Sequence, residues 1–138
     1  MSYKFWHPFF SVQYSEYAGG SHLSTSGDVY SFGVVLMEIL TGKRPTDPLF
    51  CNGFSIINFC KTSFPGQILD IVDAHLLEEC NGFIQSKAQA ENDVCRCLLS
   101  LVQVALSCTR PFPRERMNMR EVAVNLHSVR RSYVAATK

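Results

Sequence analysis

The hydrophobic pattern is densest between residues 25 and 41, where it predicts a helix that is apolar on almost every side. On a helical projection, the apolar side chains leave only a narrow polar strip that holds Ser31 and Glu38. Thr25-Ser-Gly-Asp28 has the S/T-x-x-D/E form of a helix start, and Gly42 predicts the helix end. A helix with this pattern needs neighbours on all faces. Its apolar stretch, from Val29 to Leu40, is about 12 residues and is too short to cross a bilayer.

The rest of the chain shows helical or irregular patterns, and no segment alternates as a strand would. The predicted helices are residues 55–64, one or two short turns within 67–77, residues 91–108 and a last helix from 118. The predicted irregular segments are residues 1–24, 43–53, 78–90 (a surface excursion) and 109–117. Asn118-Met-Arg-Glu121 resembles a capping box, with Val122, Leu126, Val129 and Tyr133 as the buried stripe of the last helix. The pattern therefore predicts an all-α fold.

Composition fits one globular domain and excludes some partner classes. The 138 residues are 46% hydrophobic and carry 13 Lys and Arg against 12 Asp and Glu. This balance gives no electrostatic reason to propose nucleic acid or an anionic membrane as a partner. No run reaches the roughly 20 apolar residues of a spanning helix. Lys4, His7 and Pro8 interrupt any signal-peptide pattern. We therefore expect a cytoplasmic chain without a membrane span.

The six cysteines and four histidines show no metal-ligand spacing, and no C-x-x-C pair occurs. We expect no metal site. A disulfide framework is one alternative for the cysteines. A reduced chain, in which Cys60, Cys97 and Cys108 are small apolar core residues, is the alternative favoured for a cytosolic protein.

The most specific motif is Ser26-Gly-Asp-Val-Tyr-Ser-Phe-Gly-Val-Val-Leu-Met-Glu-Ile-Leu-Thr-Gly-Lys-Arg-Pro45. It resembles the D-V-[WY]-S-[FY]-G-V-x-L-x-E-[LI]-x-T-G-x-x-P helix of the protein-kinase C-lobe. Glu16-Tyr17 before it resembles the end of A-P-E. Pro113-Arg-Glu-Arg116-Met-Asn-Met119-Arg-Glu121-Val122 after it resembles the P-x-x-R-P-x-M-x-E-V segment. Residues 99–109 are similar to a helix of plant receptor-like kinases, the nearest group being the leucine-rich-repeat receptor kinases.

The resemblance implies an all-α fragment, the helical C-lobe portion of the protein-kinase-like fold. It covers residues 14–133, and leaves 1–13 as an unmatched segment and 134–138 as a tail. It implies structural roles for Glu16, Asp28, Gly33 and Arg116. The residue matching Asp28 anchors the catalytic loop in the family. The residues matching Glu16 and Arg116 form an ion pair, which a carboxylate and a guanidinium suit well.

The groups that phosphoryl transfer requires do not occur in this sequence. It has no G-x-G-x-x-G, no His-Arg-Asp and no V-A-I-K lysine, and Ser31-Phe32-Gly33 lacks the metal-binding carboxylate of Asp-Phe-Gly. Tyr14-Ser15 stand where Ala-Pro is expected. We therefore expect no catalytic, cofactor-binding or metal-binding residue, although intact family members use ATP and Mg²⁺ to phosphorylate serine and threonine.

Three functional hypotheses follow. The first is a non-catalytic kinase C-lobe fragment whose parent receptor lies in the plasma membrane with its kinase on the cytoplasmic side. The second is an interaction or decoy module that binds other kinase segments or kinase-interacting proteins through residues 50–80, with Phe54 and Ile57 on the partner surface. The third is an unrelated helix-turn-helix protein built from residues 91–131. Its loop at 109–117 is too long for that motif, and the balanced charge argues against DNA binding.

The sequence also predicts a stability problem. Without the catalytic loop, one face of the apolar helix stays uncovered unless Phe5, Trp6, Phe9 and Phe10 fold over it. Each exposed apolar side chain forfeits roughly 1.5–3 kcal/mol, which is large against the stability of a small domain. We expect a marginally stable or association-prone chain, and a sharp monomer melt above about 60 °C would contradict this.

Overall fold

The computed structural model of the chain describes residues 25–82 and 87–136. Within those ranges it contains helices and loops and no strand, which confirms the predicted all-α class. The helices are α1 (Thr25–Thr41), α2 (Ile56–Ser63), α3 (Ile68–Ile71), α4 (Ala74–Gly82), α5 (Lys87–Cys108) and α6 (Met119–Ala136). A short 3-10 turn, Pro113–Glu115, lies in the loop between α5 and α6.

The packing of α1 against α5 forms the centre of the fold. Val34 and Met37 of α1 and Ala105 and Cys108 of α5 are fully buried, with exposed fractions of 0%. α6 packs on α5, and the 3-10 turn contacts α1. Burial of apolar side chains between α1 and α5 is therefore the main stabilising contribution in this part of the chain.

Helix α2 packs against both α1 and α5, and α3 packs against α2 and α5. Ser55 caps α2, since its Oγ accepts a hydrogen bond from the backbone N–H of Asn58 at 3.2 Å. Ile56 and Cys60 of α2 and Ile68 of α3 are buried. Both helices lie where the sequence predicted short helical segments.

The last helix, α6, begins with the predicted capping box. The backbone N–H of Asn118 donates to Glu121 Oε2 at 3.1 Å, and the N–H of Glu121 donates to Asn118 Oδ1 at 2.9 Å. Of the predicted stripe, Val122 is buried, while Leu126, Val129 and Tyr133 are half-buried. α6 is thus a peripheral amphipathic helix.

The structure corrects two predictions. The surface excursion expected at 78–90 is helical over 78–82 in α4 and over 87–90 in α5, while residues 83–86 lie outside the described ranges. Polar residues such as Glu78 and Glu79 occupy the exposed side of α4, so polarity alone did not indicate a loop. The second correction concerns α1, which is buried over part of its circumference and not on every side.

Candidate functional site

Helices α1 and α5 lie very close together where they cross at Gly33. A Cβ added there would lie 2.7 Å from Cys108 Cβ, 2.7 Å from Thr109 Cγ2 and 2.9 Å from the Ala105 carbonyl oxygen. One of these atoms is backbone and another is a buried Cβ, so they cannot yield without moving α5. Gly33 therefore permits the two helices to touch, which gives this motif glycine a packing role.

Arg116 links the kinase-like motif of α1 to the motif that precedes α6. Its Nη1 donates to the Ser26 carbonyl at 3.1 Å, and its Nε donates to the Arg110 carbonyl at 2.8 Å. Nη2 lies 3.4 Å from the Pro111 carbonyl oxygen, to which it also donates. The guanidinium carbon stands 4.8 Å from the centre of the Tyr30 ring, a cation–π distance. This one side chain ties the start of α1 to the loop that precedes α6.

Of the two predicted carboxylates, Asp28 lies among the described residues and Glu16 does not. Asp28 lies in the first turn of α1 and is exposed, where its charge complements the helix dipole. Glu16 lies outside the described residues, so its pairing with Arg116 stays a prediction. The structure brings Arg116 to the N-terminal turn of α1 through the Ser26 carbonyl, a contact that the sequence motifs did not predict.

The C-terminal end of α1 is closed by Gly42, as the sequence predicted, and by Asp73, which the sequence did not indicate. Gly42 adopts a left-handed φ of +68° and donates its N–H to the Glu38 carbonyl at 2.9 Å. The backbone N–H of Asp73, beyond α3, donates to the Leu40 carbonyl at 2.8 Å. Asp73 carries no sequence signal for this role, because the contact joins segments more than 30 residues apart.

One strip of α1 is only partly covered. Ile39 is 60% exposed, and Phe32 and Val35 on the same strip are half-buried. Ser31 Oγ is buried and has no hydrogen-bond partner in the part of the chain that the structure describes. Burial raises the pKa of the Glu38 carboxyl, and the nearby Arg44 guanidinium opposes that shift. This strip combines apolar and unsatisfied polar groups, as the buried face of an interface would.

The predicted partner surface contains an aromatic cluster formed by Phe50, Phe54 and Phe59. Their ring centres are 5.5 to 6.5 Å apart, which are edge-on and tilted contacts. Phe54 is 36% exposed and the adjacent Leu49 is 47% exposed. Ile57 is half-buried and packs against the core, so less of its surface is open to a partner than that of Phe54.

The cysteine thiols do not form a reactive or metal-binding centre within the described ranges. All six are unpaired, and burial raises the pKa of Cys60 to about 12 and that of Cys108 to about 11. Cys80 and Cys97 border an apolar groove of about 300 Å³ between α4, α5 and α6. No cluster of three metal-ligating side chains occurs among the described residues.

No helix among residues 25–82 and 87–136 combines the length and the apolar character needed to cross a bilayer. The longest is α5, and its exposed positions include Arg96 and Gln103.

Comparison with known proteins agrees with the motif set. The sequence model of the family described as protein tyrosine and serine/threonine kinase matches residues 6–126, starting eight residues before the boundary taken from motifs. A receptor-like protein kinase of Arabidopsis thaliana is 42% identical over 86% of this chain, and an LRR receptor-like serine/threonine-protein kinase of the same plant is 36% identical over 89%. The receptor kinase-like protein Xa21 of Oryza sativa subsp. japonica is 31% identical over 85%.

The chain spans about a tenth of the length of these relatives, since the matched regions cover 11%, 12% and 11% of them. The matched region of this chain includes α1, the Gly33 crossing and the Arg116 contacts. The chain therefore belongs to the protein tyrosine and serine/threonine kinase family and is a helical C-lobe fragment resembling plant leucine-rich-repeat receptor-like kinases.

Proposed function

We propose that this chain supplies the lower, helical part of the C-lobe of a receptor-like serine/threonine kinase. In an intact parent, the kinase would lie on the cytoplasmic side of the plasma membrane and would phosphorylate proteins with ATP and Mg²⁺. The observation that carries the proposal is the Arg116 contact with the Ser26 carbonyl and the Tyr30 ring. It joins two kinase-like motifs that are 90 residues apart in the chain.

We further propose that these 138 residues transfer no phosphate by themselves. Phosphoryl transfer depends on a lysine and a glycine loop that hold the nucleotide and on carboxylates that bind Mg²⁺ and orient the hydroxyl. The glycine loop, the strand lysine and the His-Arg-Asp and Asp-Phe-Gly motifs do not occur in this sequence. The chain would contribute the scaffold on which such groups are placed, through the partly covered strip of α1.

A chimera tests the scaffold role. Residues 25–136 would replace the matching segment of the Arabidopsis receptor-like kinase that is 42% identical. Retained autophosphorylation is expected. A matched chimera carrying Gly33→Leu should be inactive, because the added side chain separates α1 from α5. A folded but inactive first chimera, with the parent kinase active in parallel, would contradict the proposal.

The absence of catalysis needs a separate measurement on the purified chain. With radiolabelled ATP, Mg²⁺ and a generic protein substrate, we expect no phosphate incorporation above that of a heat-treated sample. Isothermal calorimetry with a non-hydrolysable ATP analogue and Mg²⁺ should also give no binding heat. Phosphate incorporation above that of the heat-treated sample would refute this part while leaving the scaffold role intact. Saturable nucleotide binding alone would refute only the expected absence of a nucleotide site.

A second candidate function is an interaction or decoy module acting through residues 50–80. The observation that favours it is the aromatic cluster with its exposed neighbours Leu49 and Phe54. Aromatic side chains at such exposed positions commonly anchor protein interfaces. The partner would be a segment of an intact receptor kinase or a protein that binds one.

Competition measures this second function. The purified chain would be added to an intact kinase domain of a relative, and loss of the relative's capture of its own partners would be recorded. Phe54→Ser should abolish competition, and Val124→Ser on α6, where Val124 is 65% exposed, should leave it unchanged. Equal effects of both variants would reject the decoy function.

A further inference from the structure

The loop between α5 and α6 presents an aromatic side chain between two arginines. Phe112 is 64% exposed, and the flanking Arg110 and Arg114 are exposed as well. Phe112 directly precedes the 3-10 turn, so no amphipathic helical stripe accounts for its exposure. We name residues 110–114 the basic–aromatic tip.

The tip has a fixed shape. The guanidinium of Arg116 donates hydrogen bonds to the carbonyls of Arg110 and Pro111. The N–H of Glu115 donates to the Phe112 carbonyl at 3.0 Å, and the N–H of Met117 donates to the Ser107 carbonyl at 3.1 Å. Pro111 and Pro113 restrict the backbone on both sides of Phe112. Little conformational entropy would therefore be lost if the tip bound a partner.

The overall charge of the chain is nearly balanced, but residues 110–121 carry a local excess of positive charge. Residues 110–121 contain four arginines and two glutamates. Arg116 is directed inward, and Glu121 is engaged in the capping box of α6. The exposed guanidinium groups of Arg110, Arg114 and Arg120 therefore face solvent with Glu115 as the remaining acidic neighbour in this segment. Met119, 44% exposed, adds a second apolar side chain.

We propose that the basic–aromatic tip docks on the surface of an anionic phospholipid bilayer. Arginines attract the phosphate and serine headgroups, and a protruding phenylalanine enters the interfacial layer, where apolar surface is removed from water. A protein partner would have to offer a pocket shaped for Phe112, whereas a bilayer accepts an exposed aromatic side chain without one. A nucleic acid would use the arginines but would leave the Met119 and Phe112 side chains without an apolar environment.

Vesicle co-sedimentation of the full 138-residue chain tests the proposal. Phosphatidylcholine vesicles containing about 30 mol% phosphatidylserine should bind the chain in about 0.1 M NaCl, and pure phosphatidylcholine vesicles should bind it far less. The double variant R110Q/R114Q should lower the partition coefficient about 25-fold, since each arginine near an anionic surface contributes about fivefold. Phe112→Ser should lower it about tenfold.

Matched variants separate the tip from general surface properties. R130Q/R131Q removes two exposed arginines from α6, and Val124→Ser removes an apolar side chain as exposed as Phe112. Each should change the partition coefficient by less than about twofold. Circular dichroism would check that all variants keep the helical content, which is expected because the substituted side chains are exposed.

Several results would overturn the proposal. Equal binding to neutral and anionic vesicles, or equal losses in R110Q/R114Q and R130Q/R131Q, would show that the tip has no special role. Unchanged binding of Phe112→Ser would reduce the contact to a general polyanion effect, as would equally tight binding of a soluble RNA. Absent vesicle binding, together with a protein captured in a Phe112-dependent way, would assign the tip to a protein partner instead.

Discussion

The two sides of α1 differ in what covers them. On the side where Gly33 meets α5, the α1 residues Val34 and Met37 are fully buried. On the other side, Val35 is half-buried and Ile39 is 60% exposed. Among the described residues, the same hydrophobic pattern therefore forms a close contact on one side and a partly exposed strip on the other. Phe5, Trp6, Phe9 and Phe10, which the sequence offered as a cover for this strip, lie outside the described residues.

The apolar pattern of α1 favours burial on every side, but a side is buried only where another segment packs against it. α5 lies within the described part of this chain and packs against one side. The kinase resemblance implies a catalytic loop as a further neighbour of this helix, and the motif of that loop does not occur in this sequence. The variants below test whether the two sides differ in energy as much as they differ in burial.

The largest loss is expected for Met37→Ala on the covered side. Met37 is fully buried, so truncation should leave a cavity and lower the free energy of unfolding by about 3 kcal/mol. Ile39→Ala is the matched change on the uncovered side and should cost less than about 0.5 kcal/mol. Urea unfolding followed by circular dichroism measures both, and similar costs would remove the distinction between the two sides.

A slightly smaller loss is expected for Gly33→Ala. The new Cβ would press on Cys108, Thr109 and the Ala105 carbonyl, and overpacking of this kind costs about 2 kcal/mol. The control is Gly66→Ala, where nothing lies within 4 Å of an added Cβ. Chemical denaturation of the two variants should differ by this amount, and an unchanged midpoint for Gly33→Ala would mean that the crossing is looser than described.

Arg116→Lys should cost about 1.5 kcal/mol. A lysine cannot direct several N–H groups at the Ser26, Arg110 and Pro111 carbonyls together, and it loses the planar contact with Tyr30. Arg114→Lys, at an exposed position two residues earlier, should be neutral. If thermal melts show both variants to be equally stable, Arg116 is not the tie between α1 and the 3-10 turn.

The buried thiols predict a decline of stability in alkali. Cys60 has a folded-state pKa of about 12, above the ordinary value of 9.0, so folding favours the protonated thiol. Stability is complete below about pH 9 and falls as the pH rises toward 12, by up to about 1.4 kcal/mol per pH unit for this group. Cys60→Ala should flatten the fall in urea titrations between those pH values, whereas Cys51→Ala, at an exposed position, should not.

The smallest effect on stability is expected for Ile39→Gln. This change places a polar group on the uncovered strip, so the free energy of unfolding should move by less than about 0.5 kcal/mol. Self-association should decrease, because an exposed apolar surface has been reduced. Analytical ultracentrifugation at several concentrations detects the change, with Leu69→Gln as control at a 47% exposed position on α3. Equal decreases in both would make the strip an ordinary surface.

The features best predicted from the sequence are those in which a residue acts on its near neighbours, such as helix caps. The capping box of Asn118 and Glu121 was predicted from two residues three positions apart, and it forms as expected. The Ser55 start of α2 and the helix over 25–41 were likewise predicted from local spacing. Local rules failed at residues 78–90, where polar composition was taken for a loop and α4 and α5 extend into the segment.

The candidate site was only partly predictable. Motif resemblance identified Gly33 and Arg116 as structural residues. It gave Glu16 as the partner of Arg116 and gave no counterpart for Gly33. Nothing in the sequence marked Asp73 as the partner of the Leu40 carbonyl, nor Thr109 as a wall against Gly33. These contacts join distant segments, and a single sequence carries no periodic signal for them. The sequence analysis also missed the basic–aromatic tip, because it considered the net charge of the whole chain and not that of residues 110–121.

The sequence by itself determined the helical class, the helix starts and the kinase resemblance, since these depend on the order and spacing of side chains. Only the tertiary structure decided which side of α1 meets α5, how closely Gly33 approaches Cys108, and which carbonyls the Arg116 guanidinium binds. Those outcomes depend on the relative positions of helices. Such positions follow from the packing of all the side chains together, which no short stretch of sequence contains.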